Sequence, residues 1–139
     1  MRLTEFTDFG LRAMMRLAAE PDRLFTTDEI AALFGISRHH LTKIVQQLSR
    51  SGYIATSRGA GGGIRLSRPP TEIRLGELIQ SLEQKQALVE CFQADGGACD
   101  LTPSCRLKSK LASARQAFYR ELDHSTLADC VYRPRKSAA

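Results

Sequence analysis

Three cysteines, Cys91, Cys99 and Cys105, are the residues best suited to chemistry, and they follow the spacing C-x7-C-x5-C. Their thiolates are soft ligands that bind zinc or the iron of iron–sulfur clusters, and a three-ligand loop needs a fourth ligand from elsewhere. Structural zinc sites usually carry tighter C-x2-4-C pairs, which are absent here. The spacing alone leaves both metals open, with disulfides as a third alternative.

Two further residues are weaker candidates for a metal site. Cys130 is a lone cysteine on a predicted helix, where cysteine is usually a small buried hydrophobe. His124 precedes a predicted helix cap, a position where histidine is more often exposed. We therefore leave both out of the predicted site.

The composition sets the class of protein. With 139 residues, 42% of them hydrophobic, the chain fits one compact unit or a small domain with an oligomerisation element. No apolar run approaches the ~18 residues of a membrane span, and the first residues lack the plan of a signal peptide. We therefore expect a cytoplasmic protein without a membrane partner, where four cysteines favour metal or redox chemistry over disulfides.

The positive charge is concentrated in one stretch of the chain. The net charge is +5, and residues 37–68 contain no Asp or Glu. Such a stretch favours binding to a polyanion, although a solvated basic face is the alternative. Its cations are Arg38, Lys43, Arg50, Arg58, Arg65 and Arg68.

Helix signals in the first half predict a DNA-binding motif. A first helix is predicted over residues 4–19. Thr26 and Glu29 form a potential capping box for a second helix, which Gly35 can end. Ser37 can cap a third helix directly afterwards. Two short helices joined by a tight glycine-containing turn are typical of a helix-turn-helix.

The third helix is therefore the predicted recognition helix. The N-terminal residues of such a helix reach base edges and phosphates in the major groove of double-stranded operator DNA. The predicted contacts are Ser37, Arg38, His39, His40, Thr42 and Lys43.

A glycine-rich hairpin is predicted to follow as a wing. Two short alternating strands, 53–58 and 64–67, flank the run Gly-Ala-Gly-Gly-Gly. Gly59 and Gly61 would let the backbone approach a sugar-phosphate strand, while Arg58 and Arg65 supply charge, Arg58 for a narrow minor groove. The run lacks the terminal Lys-Ser/Thr of a nucleotide-binding loop, which excludes that interpretation.

The second half is predicted to hold the cysteine loop and a dimerisation helix. The predicted fold is mainly α with a small β-hairpin wing: a winged helix-turn-helix over 1–68, then a unit over 69–139. This unit contains a helix at 74–82, the loop at 91–105, a long helix at about 104–123 and a short last helix, capped by Ser125, over 126–131. The apolar stripe of the long helix would pack against a second copy, or alternatively against the chain's own first unit. Its members are Leu107, Leu111, Ala114, Phe118 and Leu122.

Together these motifs resemble the Rrf-type winged-helix repressors, a family of bacterial homodimers that carry an iron–sulfur cluster. Within the family the chain is most similar to the nitric-oxide-sensing NsrR group. The resemblance is carried by residues 1–13 (MRLTEFTDFGLRA), 37–44, 58–66 (RGAGGGIRL), 102–108, 121–123 and 126–129.

The resemblance implies a cofactor and its ligands. Cys91, Cys99 and Cys105 would bind an iron–sulfur cluster, 4Fe-4S in preference to 2Fe-2S. Asp8, from the partner protomer, would complete it in the manner of the family's nitric-oxide sensors. The interpretation from the residues alone is simpler: an acid in the first turns of a helix interacts favourably with the helix dipole.

The implied function is transcription repression relieved when nitric oxide attacks the cluster. Seven residues between Cys91 and Cys99 are more than expected of many nitric-oxide sensors, so repression controlled by iron or cluster status, as in RirA and IscR, is the first alternative. A zinc-stabilised DNA-binding protein without sensing is the second. An enzyme is not expected, because the sequence shows no nucleophile–base pair, no paired catalytic carboxylates and no cofactor fingerprint.

Overall fold

A computed structural model describes residues 1–136, so the last three residues of the predicted second unit lie outside the described part. Within it the fold is mainly helical with one antiparallel β-hairpin, which confirms the predicted fold class. The elements are α1 (Glu5–Ala18), α2 (Thr27–Phe34), α3 (Arg38–Arg50), β1 (Ile54–Ser57), β2 (Gly63–Leu66), α4 (Leu75–Leu82) and α5 (Arg106–Leu122).

The first three helices begin at the predicted capping residues. The hydroxyl groups of Thr4 and Ser37 each accept a hydrogen bond from the backbone N–H three residues later. Thr26 and Glu29 form the full capping box at the start of α2. Gly35 ends α2 with φ at 65°, a left-handed conformation that glycine adopts without steric cost. Local side-chain chemistry therefore sets these boundaries.

One hydrophobic core joins α1, α3 and α4 to the hairpin. Leu17 of α1, Leu41 of α3 and Leu78 of α4 are fully buried in the same cluster. Leu127 from the end of the chain is also buried there. Helix α4 therefore packs in the same core as the helices that precede it. The predicted division into two units at residue 68 stays a prediction.

The hairpin forms as predicted, to within a residue at each end. Ile54 lies opposite Leu66, and Ser57 lies opposite Gly63. The segment before α2 adds an isolated β-bridge to the hairpin, since Phe25 exchanges two backbone hydrogen bonds with Ile64, at 2.8 and 2.7 Å. The wing is thus anchored to the start of α2 as well as to the end of α3.

Helix α5 is attached to the rest of the chain through its C-terminal end. A β-carbon on Gly76 would overlap the Tyr119 carbonyl oxygen, so the glycine permits the close crossing of α4 and α5. The Asp123 carboxylate accepts a hydrogen bond from the Glu77 N–H at 2.9 Å and so caps α4. In contrast, none of the residues of α5 is buried.

The predicted last helix is wrong in type and in its cap. The segment forms a single 3₁₀ turn, Leu127–Cys130, capped by Thr126 and Asp129. Ser125 instead accepts a backbone hydrogen bond from Leu75 at 3.1 Å. The chain pairs with residues 73–75 before the turn and with α1 after it, so there is room for one turn only.

Within the described residues, no helix combines the length and the hydropathy that a membrane span requires.

Candidate nucleic-acid interface and cysteine loop

The predicted contact residues line one face of α3. Its opposite face is buried by Leu41, Ile44, Val45 and Leu48. Because a helix has 3.6 residues per turn, this burial fixes the solvent side of α3. Ser37, Arg38, His39 and Lys43 are exposed, whereas His40 and Thr42 are half-buried.

Arg38 is held at the start of α3 by a weak ion pair. Its Nε lies 3.3 Å from Asp28 Oδ1 of α2, and both side chains are about 70% exposed to solvent, at 72% and 67%. An exposed pair of this kind contributes roughly 0–1 kcal/mol, so a phosphate can replace the carboxylate at little cost.

His40 and Thr42 have local partners of their own. The His40 ring lies 5.9 Å from Phe9 and 6.3 Å from Phe6, so it joins the first turn of α3 to α1. The Thr42 hydroxyl donates to the Arg38 carbonyl at 2.8 Å. Thr42 therefore leaves its methyl group and the acceptor capacity of its hydroxyl oxygen for a partner, and His40 contributes packing that the sequence did not reveal.

The wing presents its predicted residues to solvent. Arg58, Gly59, Gly61 and Arg65 are all exposed. Gly59 and Gly61 have φ values of 90° and 74°, a region that side chains with a β-carbon rarely adopt. The turn thus needs glycine for its shape, and the same absence of side chains leaves its backbone accessible.

The cysteine loop folds back on itself between two of its cysteines. The Glu90 carboxylate accepts a hydrogen bond from the Ala98 N–H at 3.0 Å, which draws together the backbone next to Cys91 and Cys99. Cys105 is the N-cap residue of α5. All three cysteines are free and half-buried.

The loop is also joined to α5 through an aromatic contact. The Arg115 guanidinium lies 4.6 Å from the centre of the Phe92 ring, which follows Cys91. Burial raises the pKa of Tyr119, one turn after Arg115 in α5. The loop therefore rests on the middle of α5 as well as on its first turn.

Residues 1–136 alone do not assemble a metal centre. No group of three or more His, Cys, Asp or Glu side chains is close enough to hold a metal ion in this part of the chain. The predicted ligands Cys91, Cys99, Cys105 and Asp8 are therefore not brought together within one protomer. Their role as ligands stays a prediction.

The residues of the loop nevertheless fit an anionic cluster. The donor set consists of three free thiols, which suit iron–sulfur iron. The buried hydroxyl oxygen of Thr102, between Cys99 and Cys105, has no hydrogen-bond partner within the described chain, a costly state unless another group completes the loop. The first turn of α5 is basic where a helix N-terminus favours acids, which suits a negatively charged neighbour.

Asp8 already has a partner, one that the sequence interpretation missed. Its carboxylate accepts hydrogen bonds from Arg12 Nη2 at 2.7 Å and from Nε at 3.1 Å. The spacing i, i+4 with the acid first is the signal that predicts such a pair. Both side chains are about half exposed, so the pair contributes only about 0.3–0.5 kcal/mol, and Asp8 can be withdrawn from it.

Comparisons with known proteins cover nearly the whole chain. Residues 3–133 match the Rrf2 family, described as iron-dependent transcriptional regulators. The chain is 25% identical to the oxidised form of CymR from Staphylococcus aureus, with a TM-score of 0.71, covering 98% of this chain and 100% of that one.

Two further solved structures are similar to this chain over most of its length. IscR from T. potens is 26% identical over 93% of this chain and 85% of its own, with a TM-score of 0.69. CymR of B. subtilis, described as the global cysteine regulator, is 27% identical over 93% and 95%, with a TM-score of 0.70. The similarity therefore includes the winged segment, the cysteine loop and α5 together.

Proposed function

The chain belongs to the Rrf2 family of DNA-binding transcriptional regulators, and from this premise we propose that it is a nitric-oxide-sensing repressor. It acts as a homodimer that holds an iron–sulfur cluster on Cys91, Cys99 and Cys105. Loss of the intact cluster releases the operator. It is a regulator and not an enzyme.

The cysteine loop is the observation that carries this proposal. Three free thiols lie on one loop that enters the basic first turn of α5, and a buried hydroxyl beside them lacks a partner within the described residues. A zinc site would satisfy the thiols, but the seven-residue spacing between Cys91 and Cys99 is not that of a zinc knuckle. An anionic iron–sulfur cluster accounts for both the thiols and the basic turn.

The exposed face of α5 supports the homodimer. Leu107 is 62% exposed, while Leu111, Phe118 and Leu122 of the same face are only half-buried. An amphipathic helix gains its stability by covering its apolar face, and this chain covers that face only in part. A second copy offers the same face by two-fold symmetry.

Asp8 gives the cluster a way to influence DNA binding. We assign it as the fourth ligand, contributed by the partner protomer after it leaves Arg12. Helix α1, which carries Asp8, packs on α3 through Phe9 and His40. A bond from Asp8 to the partner's loop therefore fixes the recognition helix of one protomer relative to the other.

When bound, the cluster supplies iron that reacts with nitric oxide. A carboxylate oxygen is a hard ligand beside soft thiolates, so Asp8 would be the ligand most easily displaced. Asp8 without the cluster would pair with Arg12, as it does in this protomer, and the two α3 helices would lose their common spacing. Nitric oxide would then favour the dimer without the Asp8 bond over the dimer with it. Such a preference for one of two states is the condition for an allosteric switch.

Purification without oxygen tests the cofactor directly. We expect iron and acid-labile sulfide in the protein, a visible absorption band, and salt-dependent binding to duplex DNA that weakens when the cluster is removed. Zinc without a visible band contradicts the sensing function and leaves the zinc-stabilised DNA-binding protein. Absence of duplex binding contradicts the regulator itself.

An iron- or cluster-status sensor is the second candidate. The long spacing between Cys91 and Cys99 and the similarity to T. potens IscR favour it. The two candidates separate by the signal that removes the cluster. In the status sensor an iron chelator without nitric oxide removes the cluster and releases DNA, whereas in the nitric-oxide sensor the cluster and the bound DNA should persist in the chelator until the gas is added.

A further inference from the structure

A short basic segment is held against the helix-turn-helix after the chain leaves α5. The Tyr132 N–H donates to the Met15 carbonyl of α1 at 2.9 Å, and the Tyr132 ring lies 6.0 Å from that of Phe34 at the end of α2. We call the following residues, 133–136, the basic arm. Its start is thus fixed on the winged segment and not on α5.

The middle of the basic arm lies beside α2. Pro134 lines a surface cavity of about 390 Å³ together with Leu33, Ala32 and Glu29. These α2 residues lead from its last turn to its first, where Asp28 holds Arg38 of the recognition helix. In a helix-turn-helix this first helix crosses the DNA backbone, so cations beside α2 are candidates for contact with the phosphates.

The cations of the arm are available for a new partner. Arg133, Arg135 and Lys136 are all exposed, and within residues 1–136 no salt bridge pairs any of them with an acid. By contrast, Arg16 and Arg23 on the same surface are each paired with a carboxylate. Residues 130–139 contain no Asp or Glu.

We propose that the basic arm contacts the phosphate backbone of bound duplex DNA beside α2. This contact rests on the DNA binding of the family and is independent of the cluster. Each phosphate that a cation neutralises releases condensed counterions, so the arm adds affinity that is independent of sequence and sensitive to salt. It extends the interface beyond α3 and the wing.

A pair of charge-matched double variants of the full chain tests the arm. Arg135→Ala with Lys136→Ala removes two arm charges, and Lys110→Ala with Arg120→Ala removes two charges from exposed positions of α5. Binding to a fluorescent duplex of random sequence is measured by anisotropy over a series of salt concentrations. Thermal unfolding confirms that both variants are folded.

The arm variant should lose affinity about threefold to tenfold, and its slope of log affinity against log salt should fall by about 0.9 per lost contact. The α5 variant should keep the wild-type slope. Equal slopes for the two variants, or an unchanged slope for the arm variant, contradict the proposed contact between the arm and DNA. If the wild-type chain binds no duplex at any salt concentration, both the DNA contact of the arm and the proposed function as a DNA-binding regulator are contradicted.

Discussion

The winged segment and the cysteine loop with α5 differ in how far one chain completes them. In the winged segment, Leu17, Leu41 and Ile44 are fully buried, and each of the three helices begins at a side-chain cap. Helix α5 buries none of its residues, and its N-cap Cys105 makes no capping hydrogen bond. The first region is stabilised by its own contacts, whereas the second leaves every residue of α5 at least partly exposed and its cysteines free.

The largest effect that separates the two regions is expected at Cys99. Cys99→Ser should abolish iron retention, because it removes one of only three thiolates. The free energy of unfolding of the cluster-free protein should change by less than about 0.5 kcal/mol, because the loop carries little packing. Iron content and urea denaturation measure the two effects, and Cys130→Ser is the matched control that should keep its iron. Iron loss in both variants contradicts the assignment.

A substitution in the winged core should have the opposite profile. Leu41→Ala should lower the free energy of unfolding by about 2–5 kcal/mol, since it leaves a cavity among fully buried side chains. Urea denaturation at matched protein concentration measures the loss. A loss below about 1 kcal/mol would mean that the core is less closely packed than the burial indicates.

The open face of α5 should control assembly with little effect on the fold. Leu107→Asp places a charge in the proposed interface and should weaken dimerisation on the order of 100-fold. Sedimentation measures the dimer, and circular dichroism should show unchanged helix content. Gln116→Asp, on the other side of α5, is the control. Equal weakening by both substitutions contradicts the assigned face.

The smallest expected effect concerns the wing. Arg58→Ala should weaken binding by on the order of 1 kcal/mol, and most strongly at sites with a narrow A·T-rich minor groove. Anisotropy with A·T-rich and G·C-rich duplexes measures the difference. An equal loss on both duplexes would show that Arg58 contacts phosphate only.

Local chemistry explains why the winged segment could be predicted from its sequence. The caps at Thr4, Thr26 and Ser37 depend on residues three positions apart, and the hairpin depends on a glycine run between alternating strands. These signals need no information about distant parts of the chain. The resemblance to the Rrf-type family, carried by several co-occurring motifs, is confirmed by the family match over residues 3–133.

Nonlocal contacts explain what could not be predicted. The last turn is 3₁₀ because residues 73–75 and Met15 hold the chain on both sides of it. His40 packs on α1, which its place on the recognition helix does not indicate. The candidate cysteine ligands could be chosen by residue type, but residues 1–136 do not bring them together, and their role as ligands stays a prediction.

The response of DNA binding to nitric oxide tests the central claim most directly. Protein reconstituted without oxygen is titrated with nitric oxide while the visible absorption and the anisotropy of a bound duplex, selected from a random library, are followed together. The absorption band and the affinity should fall in parallel, and Asp8→Ala should alter the spectrum and the course of the titration. Affinity that stays constant while the band disappears would contradict a cluster that controls DNA binding.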